Sequence, residues 1–341
     1  MSGLPDEGRP GGEPAGEPDG LTGRVRRVVS EHGIWVTAVL TVVVFAGLFL
    51  FGDAGQVTSA LAQFDMRAFA VVIGLTTVGY LVRFVKWELY LDELDIDVPR
   101  TTSLTVFFSG LMMVVTPGKA GEVWKAWLLR DMEDVPASKT TPVVGAERIT
   151  DVVSLAVLAS VGVVAYGRSP AILAAVVVAF VAGLGLLQWR AGCLRILSWA
   201  EGLPVVGEYA DEFETFYEST YVLFRLRPLA LATVLSVVAW ALEGIALWVT
   251  LAGFGVEVSI LAAVFVFALG SVIGAVSLLP GGLGAAEASM TGLLLTFSVA
   301  EPIAVAATLV VRVGTLWYAA VLGFAVFSVH KLLGGEPNPE A

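Results

Sequence analysis

Apolar runs of about twenty residues, separated by short polar joints, organise this 341-residue chain. Each run matches the roughly 20 residues that a helix needs to cross about 30 Å of hydrocarbon. Six runs have that character, at about 34–52, 67–90, 140–167, 170–189, 229–252 and 301–329. Two further runs are interrupted: 101–116 stops at TPGKAGE and 259–279 stops at LLPGGLGAAE. A short helical piece follows each, EVWKAWLLR and ASMTGLLLTF. Non-helical backbone at membrane depth is tolerated only where protein or a wet cavity satisfies its N–H and C=O groups. The pattern therefore predicts an all-α polytopic membrane protein with about six full spans and two re-entrant hairpins. The first hairpin breaks at Pro117, Gly118 and Gly121, the second at Pro280, Gly281, Gly282 and Gly284. The alternative, in which both runs cross fully and Pro-Gly marks a loop, stays open.

Composition agrees with the membrane reading: 57% of residues are hydrophobic, 15% are charged, and mean hydropathy is +0.82. Residues 1–27 are rich in Gly, Pro and Glu, and are expected to form a disordered tail. A membrane domain follows at 28–333, then a short tail at 334–341. The first apolar run reads as a retained signal-anchor span, because its leader is long and acidic and no A-x-A site follows. Between spans four and five, residues 190–228 carry aromatic residues at helical spacing among acidic ones, as in a helix lying along the interface. With this topology Arg24, Arg26, Arg27, Arg100, Lys119, Lys125, Arg130, Lys139, Arg190, Arg195, Arg225, Arg227 and Lys331 share one side, and Arg67 and Arg168 take the other. The positive-inside rule then puts both termini in the cytoplasm, with the protein in the cell membrane.

The two interruptions resemble each other. Pro117, Gly118 and Gly121 align with Pro280, Gly281 and Gly284, and a glutamate follows each, Glu122 or Glu287. Arg148 lies 27 residues beyond Gly121, and Arg312 lies 28 beyond Gly284. Trp87 precedes Pro117 by 30 residues, and Trp248 precedes Pro280 by 32. These coincidences predict an internal repeat, about 30–167 and 170–330. Three crossings separate the hairpins, so the halves should be inverted, an architecture of alternating-access carriers.

A charge inside a span costs about 2.5–3.5 kcal/mol on insertion scales and is a functional candidate. Glu147, Arg148 and Asp151 fall in span three, with the two carboxylates on one face. They hold Arg148 as a closed ion network, or they pose it for a phosphate. Arg312 has no acid within a turn of its own helix, so Glu243, Glu287 or a ligand must face it. Lys119 and Glu122 lie in the first break, where free amides favour an anion. Lys125 and Arg130 follow and can snorkel to headgroups. Tyr80, Arg83, Trp87 and Tyr90 form one helical face, which reads as an interfacial anchor or a substrate contact. The candidate substrate-binding set is thus Arg83, Lys119, Glu122, Glu147, Arg148, Asp151, Glu243, Glu287 and Arg312. Its mixed charge suits a zwitterionic or aminoacylated phospholipid head. No catalytic residue, metal ligand or cofactor is assigned.

Other classes fit less well. Net charge is −11 and no basic stripe exists, which argues against nucleic acid. The acidic, lysine-poor balance suits a salt-rich cytoplasm. Cys193 is alone, so no intrachain disulfide forms, and His32 and His330 sit outside the first and last spans. The nucleotide loop G-x-x-x-x-G-K-[ST] is missing: Gly118-Lys119 is followed by Ala120, and Met113 stands where its first glycine belongs. Asp95-Ile96-Asp97 offers a metal-binding pair for a polyprenyl-phosphate glycosyltransferase, the main rival reading. A non-transporting accessory subunit is the second rival.

TPGKAGEVWKAWLLR, ERITD at 147–151, LPGGLGAAEA at 279–288 with Arg312 beyond it, and RFVKW at 83–87 together resemble a flippase-like family. That family is typified by the membrane portion of lysylphosphatidylglycerol synthases, and the similarity spans about 30–330. The resemblance implies translocation of lipid-linked cargo: an anionic or zwitterionic phospholipid, or a polyprenyl-phosphate sugar. Neither the soluble synthase domain nor the glycosyltransferase domain fused in some relatives is visible here, so a separate synthase or glycosyltransferase is an expected partner.

Overall fold

The computed structural model describes residues 42–116, 120–166 and 210–333. The terminal tails, span four, Cys193, most of the 190–228 stretch, the first residues of span one, and Pro117, Gly118 and Lys119 lie outside the described residues. The described chain is helical: α1 Val42–Phe51, α2 Ala54–Ala62, α3 Met66–Glu93, α4 Arg100–Gly110, α5 Trp124–Glu133 and α6 Ala137–Ala165. After the gap come α7 Ala210–Leu223, α8 Leu226–Gly253, α9 Ile260–Val276, α10 Ala285–Thr296, α11 Glu301–Arg312 and α12 Tyr318–Leu332. A 3₁₀ turn, Leu111–Val115, extends α4, another, Ala120–Val123, opens α5, and a π-helical turn, Val313–Trp317, joins α11 to α12.

Four helices are long and apolar enough to cross a bilayer: α3, α6, α8 and the joined α11–α12. They match the expected spans two, three, five and six, and they make the chain a multi-pass membrane protein. The described part of the expected first span, α1, ends at Phe51, close to the expected end at 52. The chain then turns through 95° into α2, a helix that the apolar pattern did not predict, with Asp53 at the corner. Asp53 accepts the Gly55 N–H at 3.0 Å and so caps α2, which gives the chain a reason to bend there.

Local chemistry sets the ends of the long elements. Asp65 caps α3, and Ser259 caps α9 through the Ala262 N–H at 3.1 Å. Both α3 and α8 finish in a Schellman motif with a left-handed residue, Asp95 at φ 50° and Gly255 at φ 72°. The closing bonds, Ile96 N–H to Leu91 O and Val256 N–H to Leu251 O, are both 3.0 Å. Asp95 is therefore a helix stop, and it and Asp97 are exposed.

Helices α3 and α8 run antiparallel and lie side by side at the centre. The Asp65 N–H reaches the Gly253 carbonyl at 3.1 Å, and Gly79 faces the Ala239 carbonyl. Each long helix leads into a pair of short ones: α3 into α4 and α5, α8 into α9 and α10. Both ends of the second pair return to one place. Tyr166, at the end of α6, shares a hydrogen bond of 2.8 Å with Ser259 before α9 and packs its ring 5.1 Å from Phe297 after α10. The first pair behaves alike, since Val98 before α4 and Met132 and Val135 around the end of α5 join one apolar cluster with Leu94 and Ile96. Each pair also hangs from a tryptophan, with Trp87 Nε1 donating to Ser103 Oγ and Trp248 Nε1 to the Val258 carbonyl, each at 3.0 Å.

Lipid gives helices no hydrophobic reason to associate, so close backbone approach has to supply the packing. Gly323 on α12 shows this: a Cβ there would stand 2.4 Å from Met112 N and 2.8 Å from Phe108 O, so α12 lies directly on the end of α4.

Candidate functional site

The tips of the two short pairs meet. A Cβ built on Gly281 would stand 3.6 Å from the Cα of Val115, so the second break touches the end of the turn that extends α4. Gly281, Gly282 and Gly284 all take positive φ, at 60°, 69° and 87°. Gly282 also lies against Gly274, with an added Cβ only 3.0 to 3.2 Å from its backbone atoms. Only glycine meets both demands. Around the meeting tips lies a cavity of about 230 Å³, walled by α3, α6, α8 and the α11–α12 junction.

Its charged side chains form one network on one side and a separate pair across from it. Arg83 on α3 reaches Glu243 on α8 at 2.7 Å and Asp151 on α6 at 3.4 Å, and its guanidinium lies 4.2 Å over Trp240. Lys86, one turn on, is 1% exposed and donates to Asp151 at 2.8 Å and Ser236 at 2.7 Å. Asp151 also takes Arg148 at 3.3 Å, so three cations converge on one carboxylate. Arg148 continues to Glu122 at 3.0 Å. Glu122 lies 3.7 Å from Lys125, which pairs with Glu147. Across the cavity Arg312 donates through Nε to Glu287 at 2.6 Å and through Nη2 to the Gly281 carbonyl at 2.7 Å. Glu287, wholly buried, accepts the Gly284 N–H at 2.7 Å, so one carboxylate locks the second break to α11.

The two halves thus repeat one connection. The glutamate after each glycine-rich break pairs with the arginine on the following long helix, Glu122 with Arg148 and Glu287 with Arg312. Among the described residues five cations (Arg83, Lys86, Lys125, Arg148, Arg312) face five anions (Glu122, Glu147, Asp151, Glu243, Glu287). Isolated buried charges are costly, and pairing with added hydrogen bonds makes them tolerable. Arg148 is the most open member, with 28% of its side chain exposed. Its Nε and that of Arg83 are buried without a hydrogen-bond partner.

Eight of the nine predicted substrate-binding residues are described, and all eight gather here; Lys119 is outside the described residues. Several partnerships differ from the sequence expectation. Glu147 and Asp151 do not jointly clasp Arg148, because Lys125 takes Glu147. Glu243 pairs with Arg83 and not with Arg312. Lys125 does not snorkel: it is 3% exposed and lies 4.9 Å from the Trp87 ring. Tyr80, Trp87 and Tyr90 are buried and face the interior, so they are not interfacial anchors. Gly121, whose N–H donates to Thr116 Oγ1 at 2.9 Å, stands at the first break as expected.

Lys86 is the residue that the sequence reading passed over. Its signal was present: a lysine one turn beyond Arg83 lies on the same face and too far inside a 28-residue helix to reach the interface unaided. Lys125, near the start of the short α5, is held by packing instead, because its helix lays the lysine against α4 and α6.

The model of the lysylphosphatidylglycerol synthase TM region matches residues 36–323. The chain is 27% identical over 321 residues to a UPF0104 membrane protein of Methanothermobacter thermautotrophicus, covering 86% of this chain and 95% of that protein. A UPF0104 membrane protein of Pyrococcus horikoshii is 24% identical over 332 residues, covering 88% and 96%. A shorter match to a Methanothermobacter thermautotrophicus UPF0104 membrane protein is 34% identical over 145 residues, 39% of this chain.

Proposed function

The chain belongs to the lysylphosphatidylglycerol synthase TM region family, and on that premise we propose that it carries a phospholipid or lipid-linked headgroup across the cell membrane. One observation carries the reading: a charge-lined cavity lies at the middle of the spanning helices, where two broken helix pairs touch. Ionisable side chains at that depth are rare and mark substrate or ion pathways by default.

The two short pairs read as re-entrant hairpins. Helix α9 has 17 residues, roughly 25 Å, short of the hydrocarbon thickness of about 30 Å. Both of its pair's ends meet Tyr166. The halves read as an inverted repeat, because α3 and α8 hold corresponding places and run antiparallel. In such carriers the broken helices form the binding site and the halves rock about it. Both termini are assigned to the cytoplasm. The balanced charge of the lining favours a head in which a phosphate accompanies an amine. Phosphate takes the guanidinium groups of Arg148 and Arg312, and amine takes the carboxylates, with no bond made or broken in the cargo. A separate synthase or glycosyltransferase supplies or consumes it.

The test is transfer of fluorescent phosphatidylethanolamine and phosphatidylglycerol between leaflets of vesicles containing the purified chain. Transfer is expected above that of protein-free vesicles and reduced by Arg148→Ala, whose side chain is open enough for the variant to fold. Transfer at the protein-free rate for every headgroup tried, polyprenyl-phosphate sugars included, would refute the carrier reading.

A further inference from the structure

The cavity that holds the charges has an apolar mouth. Val152 on α6 and Ala275, Leu278 and Leu279 at the end of α9 all line it. These same side chains also face outward: Val152 is 48% exposed, Leu278 70% and Leu279 39%. Val152 stands at the middle of the 29-residue α6, so this opening is at the depth of the hydrocarbon centre and not at either headgroup layer. Towards its C-terminal end α6 packs on α9, where Leu155, Ala159, Val163, Phe265 and Phe267 share one buried cluster. From Val152 downward the two helices leave the cavity between them. Leu278 adds a backbone signature. It takes φ 55°, a left-handed conformation that costs a leucine free energy and persists only where surroundings impose it. It lies two residues before Pro280, at the turn where the chain leaves α9.

The volume decides what such a mouth is for. About 230 Å³ is below the roughly 300–1,000 Å³ that encloses a drug-sized ligand. A headgroup fits and a lipid chain does not. If the cargo is a lipid, its chains must leave the cavity, and an aqueous exit would expose them to water. The outward-facing leucines and valine offer an exit with no such cost.

We infer that the gap between mid-α6 and the end of α9 is a lateral portal, through which the acyl or isoprenoid chain of a bound lipid lies in the bilayer while its headgroup occupies the charged cavity. This rests on the carrier reading above and adds the route and the residues that flank the chain.

The full chain in phosphatidylethanolamine–phosphatidylglycerol vesicles tests it, with a trace of phosphatidylethanolamine bearing a photoreactive diazirine either on the headgroup or midway along one chain. Adducts are mapped by peptide mass spectrometry. The headgroup probe is expected to label cavity residues. The chain probe is expected to label positions 152 and 275–279 several-fold more than Val321 and Val329, which are also lipid-exposed, at 66% and 54%. Arg148→Ala should remove that excess and leave the labelling of Val321 unchanged, which also reports that the variant is folded. Headgroup adducts in the cavity with chain adducts no denser at the portal than on α12 would overturn the portal and spare the carrier reading. No headgroup adduct in the cavity, either from this probe or from a polyprenyl-phosphate sugar bearing the same diazirine, would overturn both.

Discussion

Glu287 and Arg312 offer a measurement of how the second break is held. Their Oε1 and Nε atoms lie 2.6 Å apart, and Glu287 is completely buried. At an effective dielectric of about 20 this separation corresponds to roughly 6 kcal/mol of gross attraction. Desolvation of both groups offsets much of that, so the pair contributes little net compared with two apolar side chains. Removing one member is different, because the survivor is left charged and unpaired at a cost of about 3–5 kcal/mol. Glu287→Leu and Arg312→Leu should each lose that much, and each also orphans a backbone group of the second break, the Gly284 N–H and the Gly281 carbonyl respectively. The double variant should lose less than the sum of the two by about 2–4 kcal/mol, since neither charge remains. Unfolding of the purified protein in mixed micelles, titrated with a denaturing detergent, gives all four corners of the cycle. A coupling below about 1 kcal/mol would show that the pair does not hold the break to α11, contrary to the structure. The double variant also separates stability from function: it should fold and fail to move lipid.

Three further outcomes follow from the same geometry. Gly282→Ala meets the Gly274 backbone and a positive φ, and should lose about 2–4 kcal/mol, whereas Gly292→Ala, in α10 with open space around it, should gain up to about 1 kcal/mol in the same unfolding titration. Trp87→Phe and Trp248→Phe each delete one bond to the start of the following short helix, worth about 0.5–1.5 kcal/mol by thermal unfolding, and Trp87→Phe should lose more because its ring is wholly buried and the smaller one leaves a void. Lys86→Met should lose about 1.5–3 kcal/mol, less than a broken isolated pair, because Asp151 keeps Arg83, Arg148 and Ser236; a loss above about 5 kcal/mol would mean that those partners do not compensate.

Much of this arrangement is readable from the chain alone, for reasons that particular residues explain. A mid-span arginine such as Arg148 or Arg312 must find a partner, so its presence marks the site wherever the helices go. Pro280 followed by three glycines within five residues stops a helix whatever surrounds it. The parallel spacing of Glu122 and Arg148 with Glu287 and Arg312 foreshadows the paired bridges seen in both halves. What could not be read is which carboxylate meets which cation. Helix α3 is apolar on most of its faces, so its periodicity does not say whether Tyr80, Arg83 and Trp87 turn toward lipid or toward α8. That orientation depends on the antiparallel seam between α3 and α8, which joins residues about 160 positions apart, as Arg83 to Glu243 shows. The misreadings of Tyr80, Trp87 and Tyr90 share this origin, and that of Lys125 on α5 is similar, because an amphipathic segment looks the same whether its polar face meets headgroups or a charged cavity. Helix α2 was likewise hidden, since nine residues between two apolar runs are too few to stand out from an ordinary joint until their neighbours are known.

The equal numbers of cations and anions around the cavity, among the described residues, bear on electrical behaviour. Each elementary charge carried through a membrane potential of 100 mV exchanges about 2.3 kcal/mol with the field. A set of side chains whose charges sum to zero exchanges almost nothing when it turns from one face to the other. The voltage sensitivity of the cycle then reads out the valence of the passenger alone: near zero for a zwitterion, about one charge for a monoanion, and about one charge of opposite sign for a lipid bearing an extra amine.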